Sequence, residues 1–485
     1  MAEARNPQPT WVRLALLALI LVAMGRVFWQ LGLKNLWWDE SLSLQRAESP
    51  WADLLAGRLI LYDGQGGALT THDQHPFLFF ALQGLLVRLA GTSEFALRMV
   101  SAMAATLLVP AVWVWGRLMA RRGVFARGAA LWAALLAGLH PFFLWYGQEA
   151  RPYALWALLA LVSTYCLMRA TGEIGRNQGR WWAGYALALA MFLTSHYYAV
   201  FLLPVHGLIM ASWLWARSRR WALAAVGAAL AMGAAVGVFA YWAIVIRDRG
   251  GANFDKVTWD ILFPDLLNAF SLGLSVDITQ VWLLDLLFGA VALMGALWSV
   301  RSRRALAAGG WVAPALVAGP VAVLLAAMRI FPAYMNARHM SLIGGGMILL
   351  VGAGLALLGR GRRWAAALVA LVMVAGMGYS TFRYFTVEEY EKDDFAGVGR
   401  YLDGRIAAGD LLLLKSPFAW RVFEYYLPLD TVDAARAAGA PLARYGVPLL
   451  RGDWPDQEAQ MAQWAGQARR IWYVRSNTHP YADLE

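Results

Sequence analysis

The chain is 485 residues long, 60% hydrophobic and only 15% charged, a balance that excludes a soluble globular protein and points to a polytopic membrane protein. Its formal charge of +11 does not indicate a nucleic-acid binder, because the arginines stand in short clusters between apolar runs rather than together on one polar domain. Cys166 is the only cysteine and lies inside an apolar run, so neither an intrachain disulfide nor a cysteine metal site is available.

The first apolar run, 11–31, is long enough at about 1.5 Å per residue to cross a bilayer. Its length, Arg26 and the lack of a small-x-small cleavage site mark a retained anchor rather than a signal peptide. Arg26 is expected to snorkel outward from this helix. Directly after the run come Trp37, Trp38, Asp39 and Glu40, where the helix should leave the membrane. Paired indoles suit that interface, and carboxylates beside an apolar slab are costly unless used.

Ten more crossings are predicted, near 95–118, 128–146, 152–170, 181–195, 197–216, 221–246, 280–300, 307–328, 340–358 and 363–382, giving an α-helical polytopic membrane protein of about eleven transmembrane helices. The segment from Pro76 to Ala90 is too short to join them. With Gln83 and Arg88 it reads as a juxtamembrane or re-entrant helix, and counting it as a crossing would reverse the side of every later basic cluster. Those clusters, from Arg117, Arg121 and Arg122 through Arg169 and Arg217 to Arg301, Arg303, Arg304 and Arg360, are cytoplasmic by the positive-inside rule. The N-terminus is then cytoplasmic and the C-terminus extracytoplasmic, in a multi-pass protein of the cell membrane. Residues 1–382 are read as the membrane domain, with a first exterior loop at 32–94, and 383–485 as a small exterior α/β domain. In the latter a helical stretch at 393–407, a turn at Gly409-Asp410 and strands at 411–414 and 470–474 are expected, with no Gly-rich phosphate loop.

This topology gathers the unusual polar residues on one side. Asp39, Glu40, His72, Asp73 and His75 fall in the first exterior loop, Gln148, Glu149, Arg151 and Tyr153 at the next exterior turn, His196, Tyr197 and Tyr198 at the third, and Arg338 and His339 in a later one. Arginine forks suit a phosphate, tyrosine and tryptophan faces suit sugar rings, and a carboxylate can take a proton from an acceptor hydroxyl. That inventory fits glycosyl transfer from a sugar carried on a lipid phosphate. Asp39 is the candidate base, because partial desolvation at the interface raises its basicity; a helix cap or loop acid is the structural alternative. Glu40 can orient a neighbouring arginine. Asp73 and His75 can bind donor or acceptor, or Gln74 or Asp73 can simply cap the helix after Pro76. His72 and His75, spaced i, i+3, could hold a divalent metal with Asp39, the one cofactor the residues suggest. Arg151 suits an anion or a salt bridge to Glu149, and Arg338 suits the phosphate. No Walker motif, dinucleotide fingerprint or serine nucleophile elbow appears.

At these residues the chain resembles the GT-C glycosyltransferases, in the branch of the dolichyl-phosphate-mannose protein mannosyltransferases and the lipid A aminoarabinose transferase. Trp38-Asp39-Glu40 looks like the acidic motif after the first helix of that branch, and Asp73-Gln74-His75-Pro76-Phe77-Leu78 is similar to its Asp-x-His-Pro-Pro-Leu motif with Phe77 in place of the second proline. Glu94 to Arg98 looks like the start of the second crossing, and Gln148-Glu149-Ala150-Arg151-Pro152-Tyr153 resembles the run at the exit of the third. His196, Tyr197 and Arg338 fit more loosely, and the likeness is good over about 11–220. The resemblance implies a GT-C-like membrane domain, a polyprenyl-phosphate sugar donor and an inverting mechanism. By it, Asp39 is catalytic, and Glu40, Asp73, His75, Arg98, Gln148, Glu149, Arg151, Tyr153, His196, Tyr197 and Arg338 bind substrate. The acceptor is a protein, a glycan or a lipid. The alternative is a transporter or flippase of a lipid-linked sugar, which calls for related halves and mid-membrane acids, and neither is evident.

Overall fold

The computed structural model describes residues 9–62, 68–73, 75–172, 178–218, 259–330, 336–406, 410–414 and 468–474, with Val422, Tyr425, Tyr426, Ala462 and Gly466. In chain order the helices and strands are α1 Thr10–Phe28, α2 Trp38–Glu48, α3 Trp51–Ala56, β1 Arg58–Tyr62, β2 Ala68–His72, α4 Leu78–Ala90, α5 Glu94–Arg121, α6 Ala129–Leu139, α7 Pro141–Gly147, α8 Tyr153–Gly172, α9 Gln178–Leu193 and α10 Leu203–Ser218. They continue as α11 Trp259–Ala269, α12 Ile278–Ser299, α13 Arg303–Ala307, α14 Val312–Ile330, α15 Gly344–Gly361, α16 Arg363–Thr386, α17 Phe395–Leu402, β3 Asp410–Leu414 and β4 Arg470–Val474. Short 3-10 turns at Tyr197–Leu202 and Ala337–Ile343 lead into α10 and α15.

Among the described residues, eight helical stretches are long and apolar enough to cross a membrane, and the bent pair α6–α7 makes nine. The predicted crossing at 181–195 is the 16-residue α9, shorter than the roughly 20 residues a span takes. The one at 221–246 lies outside the described residues. Helix α4 has 13 residues, about 20 Å, so it falls short of a crossing as its length implied. Helix α11 and the β1–β2 hairpin, paired antiparallel from Arg58 opposite His72 to Tyr62 opposite Ala68, were not foreseen.

Contacts divide the chain into two units, one of residues 1–29 and 98–390, the other of residues 30–97 and 391–485. A linear reading of composition separates 383–485 from everything before it; the contacts instead group the first loop with the C-terminal segment.

In the first unit the packing relies on small residues. A Cβ at Gly295 on α12 would run into Leu350 O on α15, and one at Gly354 on α15 into Val291 O on α12. Glycine permits this approach where lipid supplies no hydrophobic drive for helices to associate. Helices α6 and α7 bend by 49° at His140-Pro141, since a proline at the first position of α7 donates no N–H and ends the preceding helix. Arg26 answers the break. Its Nη1 donates to Leu139 O at 2.5 Å and Thr381 Oγ1 at 3.1 Å, and its Nη2 to His140 O at 2.9 Å. The expectation that Arg26 snorkels to the interface is therefore wrong. Carbonyls at a helix break inside an apolar slab have no water to bond, and the guanidinium takes that place.

In the second unit α4 is tied to α2 by Arg88, whose guanidinium donates to Ala47 O at 2.7 Å, Ser49 O at 2.7 Å and Gly84 O at 2.9 Å, closing the C-terminal end of α2. Strands β3 and β4 pair in parallel, Asp410 opposite Arg470. The buried Asp410 carboxylate takes Arg470 Nη2 at 2.7 Å and Trp472 Nε1 at 2.9 Å. That bond and charge hold the Arg470 guanidinium above its usual range.

Candidate functional site

In the first unit the polar residues gather around Tyr153, the first residue of α8. Its ring centroid lies 5.9 Å from that of His196 and 6.1 Å from that of His339, and the Arg338 guanidinium stands 5.7 Å above it. The Ser341 hydroxyl donates to Tyr153 O at 3.2 Å. His196 stacks on Trp156, one turn along α8, at 4.2 Å and 14°, and its centroid is 6.1 Å from that of His339. Tyr198 closes the group, 5.3 Å from His196 and 5.6 Å from His339.

Both histidines are placed by the same device. His196 precedes a 3-10 turn and its Nδ1 accepts the Tyr198 N–H at 3.2 Å. At the other turn Asn336 and His339 form a capping box, in which His339 Nδ1 accepts the Asn336 N–H at 3.2 Å and Asn336 Oδ1 accepts the Arg338 N–H at 3.1 Å. With Nδ1 an acceptor, each neutral ring carries its proton on Nε2.

Residues 148–152 join α7 to α8. Glu149 and Arg151 are buried; the Arg151 N–H donates to Glu149 O at 2.8 Å, and Arg151 O accepts the Ser101 hydroxyl at 2.9 Å. Arg98, on α5, is fully buried, and Tyr197 is half-buried. Gln148, expected to touch substrate, is occupied by the protein: its Nε2 donates to Val27 O at 3.0 Å and Trp29 O at 2.6 Å, and its Oε1 accepts the Tyr384 hydroxyl at 3.0 Å. The amide spends both N–H bonds closing the end of α1, so Gln148 is a brace for this connection rather than a ligand contact.

In the second unit Asp39 and Glu40 occupy the first turn of α2, where the helix dipole favours carboxylates. Glu40 is fully buried and pairs with Lys392, Nζ to Oε2 at 2.5 Å, a lysine partner where an arginine was expected to be oriented. Asp73 does not cap α4, whose first turn has no side-chain cap. Its Oδ1 instead accepts the His75 N–H and the His75 Nδ1, both at 2.9 Å, and its Oδ2 pairs with the buried Arg46 at 3.1 Å. Arg46 also donates to Leu54 O at 2.9 Å and His75 O at 2.8 Å and lies 4.1 Å over Phe80. Asp73 and His75 are thus held in a tight turn by Arg46. Among the described residues no group of three His, Cys, Asp or Glu could hold a metal ion, and the His72 side chain lies outside them. The metal site that the spacing of His72 and His75 suggested thus falls partly outside the described residues.

Sequence reasoning placed Tyr198 and His339 on the exterior side without giving them a role, and it missed Trp156 beside Tyr153 and Arg46 and Lys392 in the second unit. Arg46 carried a signal, an arginine on the short helix that bears the acidic pair. Lys392 carried none, being 352 residues from its partner.

Residues 74–242 match the family described as dolichyl-phosphate-mannose-protein mannosyltransferase. No curated protein matches the chain. The apo oligosaccharyltransferase of Archaeoglobus fulgidus is similar in structure, with a TM-score of 0.52 at 11% identity over 92% of this chain and 65% of that one. ArnT from Cupriavidus metallidurans, solved with undecaprenyl phosphate, is similar with a TM-score of 0.51 at 14% identity over 94% of this chain and 89% of that one. The chain thus spans just under two thirds of the archaeal enzyme and most of ArnT. At such identities the likeness is one of fold, and the chain shares the GT-C fold of these enzymes, while the family match covers residues 74–242 alone.

Proposed function

We propose that the chain transfers a sugar from a polyprenyl-phosphate donor to an acceptor hydroxyl, with inversion, at the outer face of the cell membrane. The observation that carries this reading is the grouping of Tyr153, His196, His339 and Arg338 beside the buried Glu149–Arg151 connection, an aromatic and cationic site suited to a sugar ring and a phosphate. The mannosyltransferase family match and the undecaprenyl phosphate seen in ArnT support a lipid-phosphate donor. The acceptor, on this reading, is a protein, a glycan or a lipid. The arginine clusters support an extracytoplasmic site and C-terminal segment.

The acceptor oxygen forms a bond to the anomeric carbon as the bond from that carbon to the phosphate oxygen breaks, and the phosphate departs with the electron pair. Asp39 takes the acceptor proton, and Arg151 and Arg338 stabilise the phosphate charge. His196 and His339 supply Nε2–H donors, while Asp73 and His75 line the path of donor or acceptor. No step calls for a metal.

A transporter or flippase would share one feature, the broken pair α6–α7, but Arg26 already occupies the carbonyls of that break. The two readings separate when the purified chain in nanodiscs is given undecaprenyl-phosphate sugars. Transfer releases free undecaprenyl phosphate; intact donor that merely changes leaflet sinks the proposal.

A further inference from the structure

Glu40 is buried in full on the first turn of α2, one residue after Asp39, where a carboxylate loses its hydration and needs a compensating partner. Lys392 answers it at 2.5 Å and stands 5.9 Å from the centroid of the Trp37 ring. The lysine is not an isolated contact. Asn35 Nδ2 donates to Asp393 O at 3.1 Å and Asp394 Oδ1 at 3.0 Å, the Tyr426 hydroxyl accepts the Leu36 N–H at 2.8 Å and donates to Glu94 Oε1 at 2.8 Å, and the Tyr425 hydroxyl donates to Thr92 O at 2.9 Å. Asp393, Asp394 and Tyr426 thus hold the chain just before the turn that carries the acidic pair, and Tyr425 and Tyr426 tie to the start of α5.

We propose that Lys392 is a positioning residue for sugar transfer, fixing the first turn of α2 through Glu40 so that Asp39 is presented to the acceptor. Consecutive residues of a helix point about 100° apart, so the carboxylate that faces Lys392 sets where its neighbour faces. The fully buried Glu40 and the half-buried Asp39 fit that division. The lysine also neutralises Glu40, so an ionised Asp39 does not share its turn with an uncompensated charge. The C-terminal segment, which shows no chemistry of its own in sequence, is then a working part of the site. The inference rests on the reading of Asp39 as the base.

The test uses the full chain in nanodiscs, undecaprenyl-phosphate mannose and its aminoarabinose counterpart as donors, and steady-state kcat and KM for Lys392→Met, Lys392→Arg and the double variant Glu40→Gln/Lys392→Met. The expected result is a fall in kcat of about 10-fold or more for Lys392→Met with donor KM within about 2-fold, most of the kcat kept by Lys392→Arg, and only partial recovery in the double variant, which buries no unpaired charge but lacks the tether. Should Lys392→Met not accumulate folded, the double variant carries the test, with kcat well above that of Asp39→Asn expected. Unchanged kcat in Lys392→Met, or a loss confined to KM, would overturn the positioning role while leaving the transfer reading intact. No transfer by the unaltered chain from either donor would sink the transfer reading and the positioning role with it.

Discussion

The imidazoles of His196 and His339 lie 6.1 Å apart, and each takes a backbone N–H on Nδ1, from Tyr198 in one 3-10 turn and from Asn336 in the other. The acceptor is part of the turn, not an accessory to it. His339→Phe keeps an aromatic ring beside Tyr153 but leaves the Asn336 N–H without its acceptor, which should cost about 1–3 kcal/mol. The unfolding midpoint in detergent should fall accordingly. An unchanged midpoint would mean that the capping box does not hold Arg338 in place.

Arg26 gives a sharper stability test, because two accounts of a membrane arginine disagree about its replacement. Donation to Leu139 O and His140 O predicts that Arg26→Leu strands two carbonyls at the bend and destabilises by about 1–3 kcal/mol or more. A snorkelling arginine would be replaced by leucine at no cost or with a gain. Thermal unfolding of the purified variant, read against Arg26→Lys, decides between them.

Asp394 caps α17, and the Gly397 N–H, then the Asn35 amide, hold its carboxyl below its ordinary value of 3.8. A depressed carboxylate contributes stability that is fully present above the ordinary value and is lost as the pH falls through the depressed one. Asp394→Ala should therefore cost about 0.5–2 kcal/mol at neutral pH, toward the lower end for so exposed a group, with the difference from the unaltered chain closing below about pH 4. A deficit independent of pH would show that the carboxylate charge contributes nothing.

The crossings were legible because an apolar slab imposes length and composition on any helix that spans it, and α1, α5, α8, α12, α14, α15 and α16 obey that constraint locally. Residue pairing was not legible to the same degree. Arg26 reads as an awkward charge until its partners 113 and 114 positions away are known, and Glu40 invites an arginine until Lys392 is seen. Gln148 was misread for a related reason: an amide at a helix exit suits a ligand or a helix end equally, and only the fold showed α1 ending against it. Tyr153, His196 and Arg338 were each legible as polar residues at helix ends, whereas their meeting needed the two 3-10 turns, which leave no periodic signal.

The central claim is that Asp39 removes the acceptor proton during transfer from a lipid-phosphate sugar. Asp39→Asn keeps the size and much of the hydrogen bonding of the side chain and loses only its basicity, so the most direct measurement is transfer rate and donor affinity, side by side, for the unaltered chain and this variant in nanodiscs. The account predicts a rate lower by about 10²-fold or more with donor affinity within a few-fold, since the lipid phosphate is assigned to Arg151 and Arg338. A variant that transfers sugar at close to the unaltered rate would contradict it.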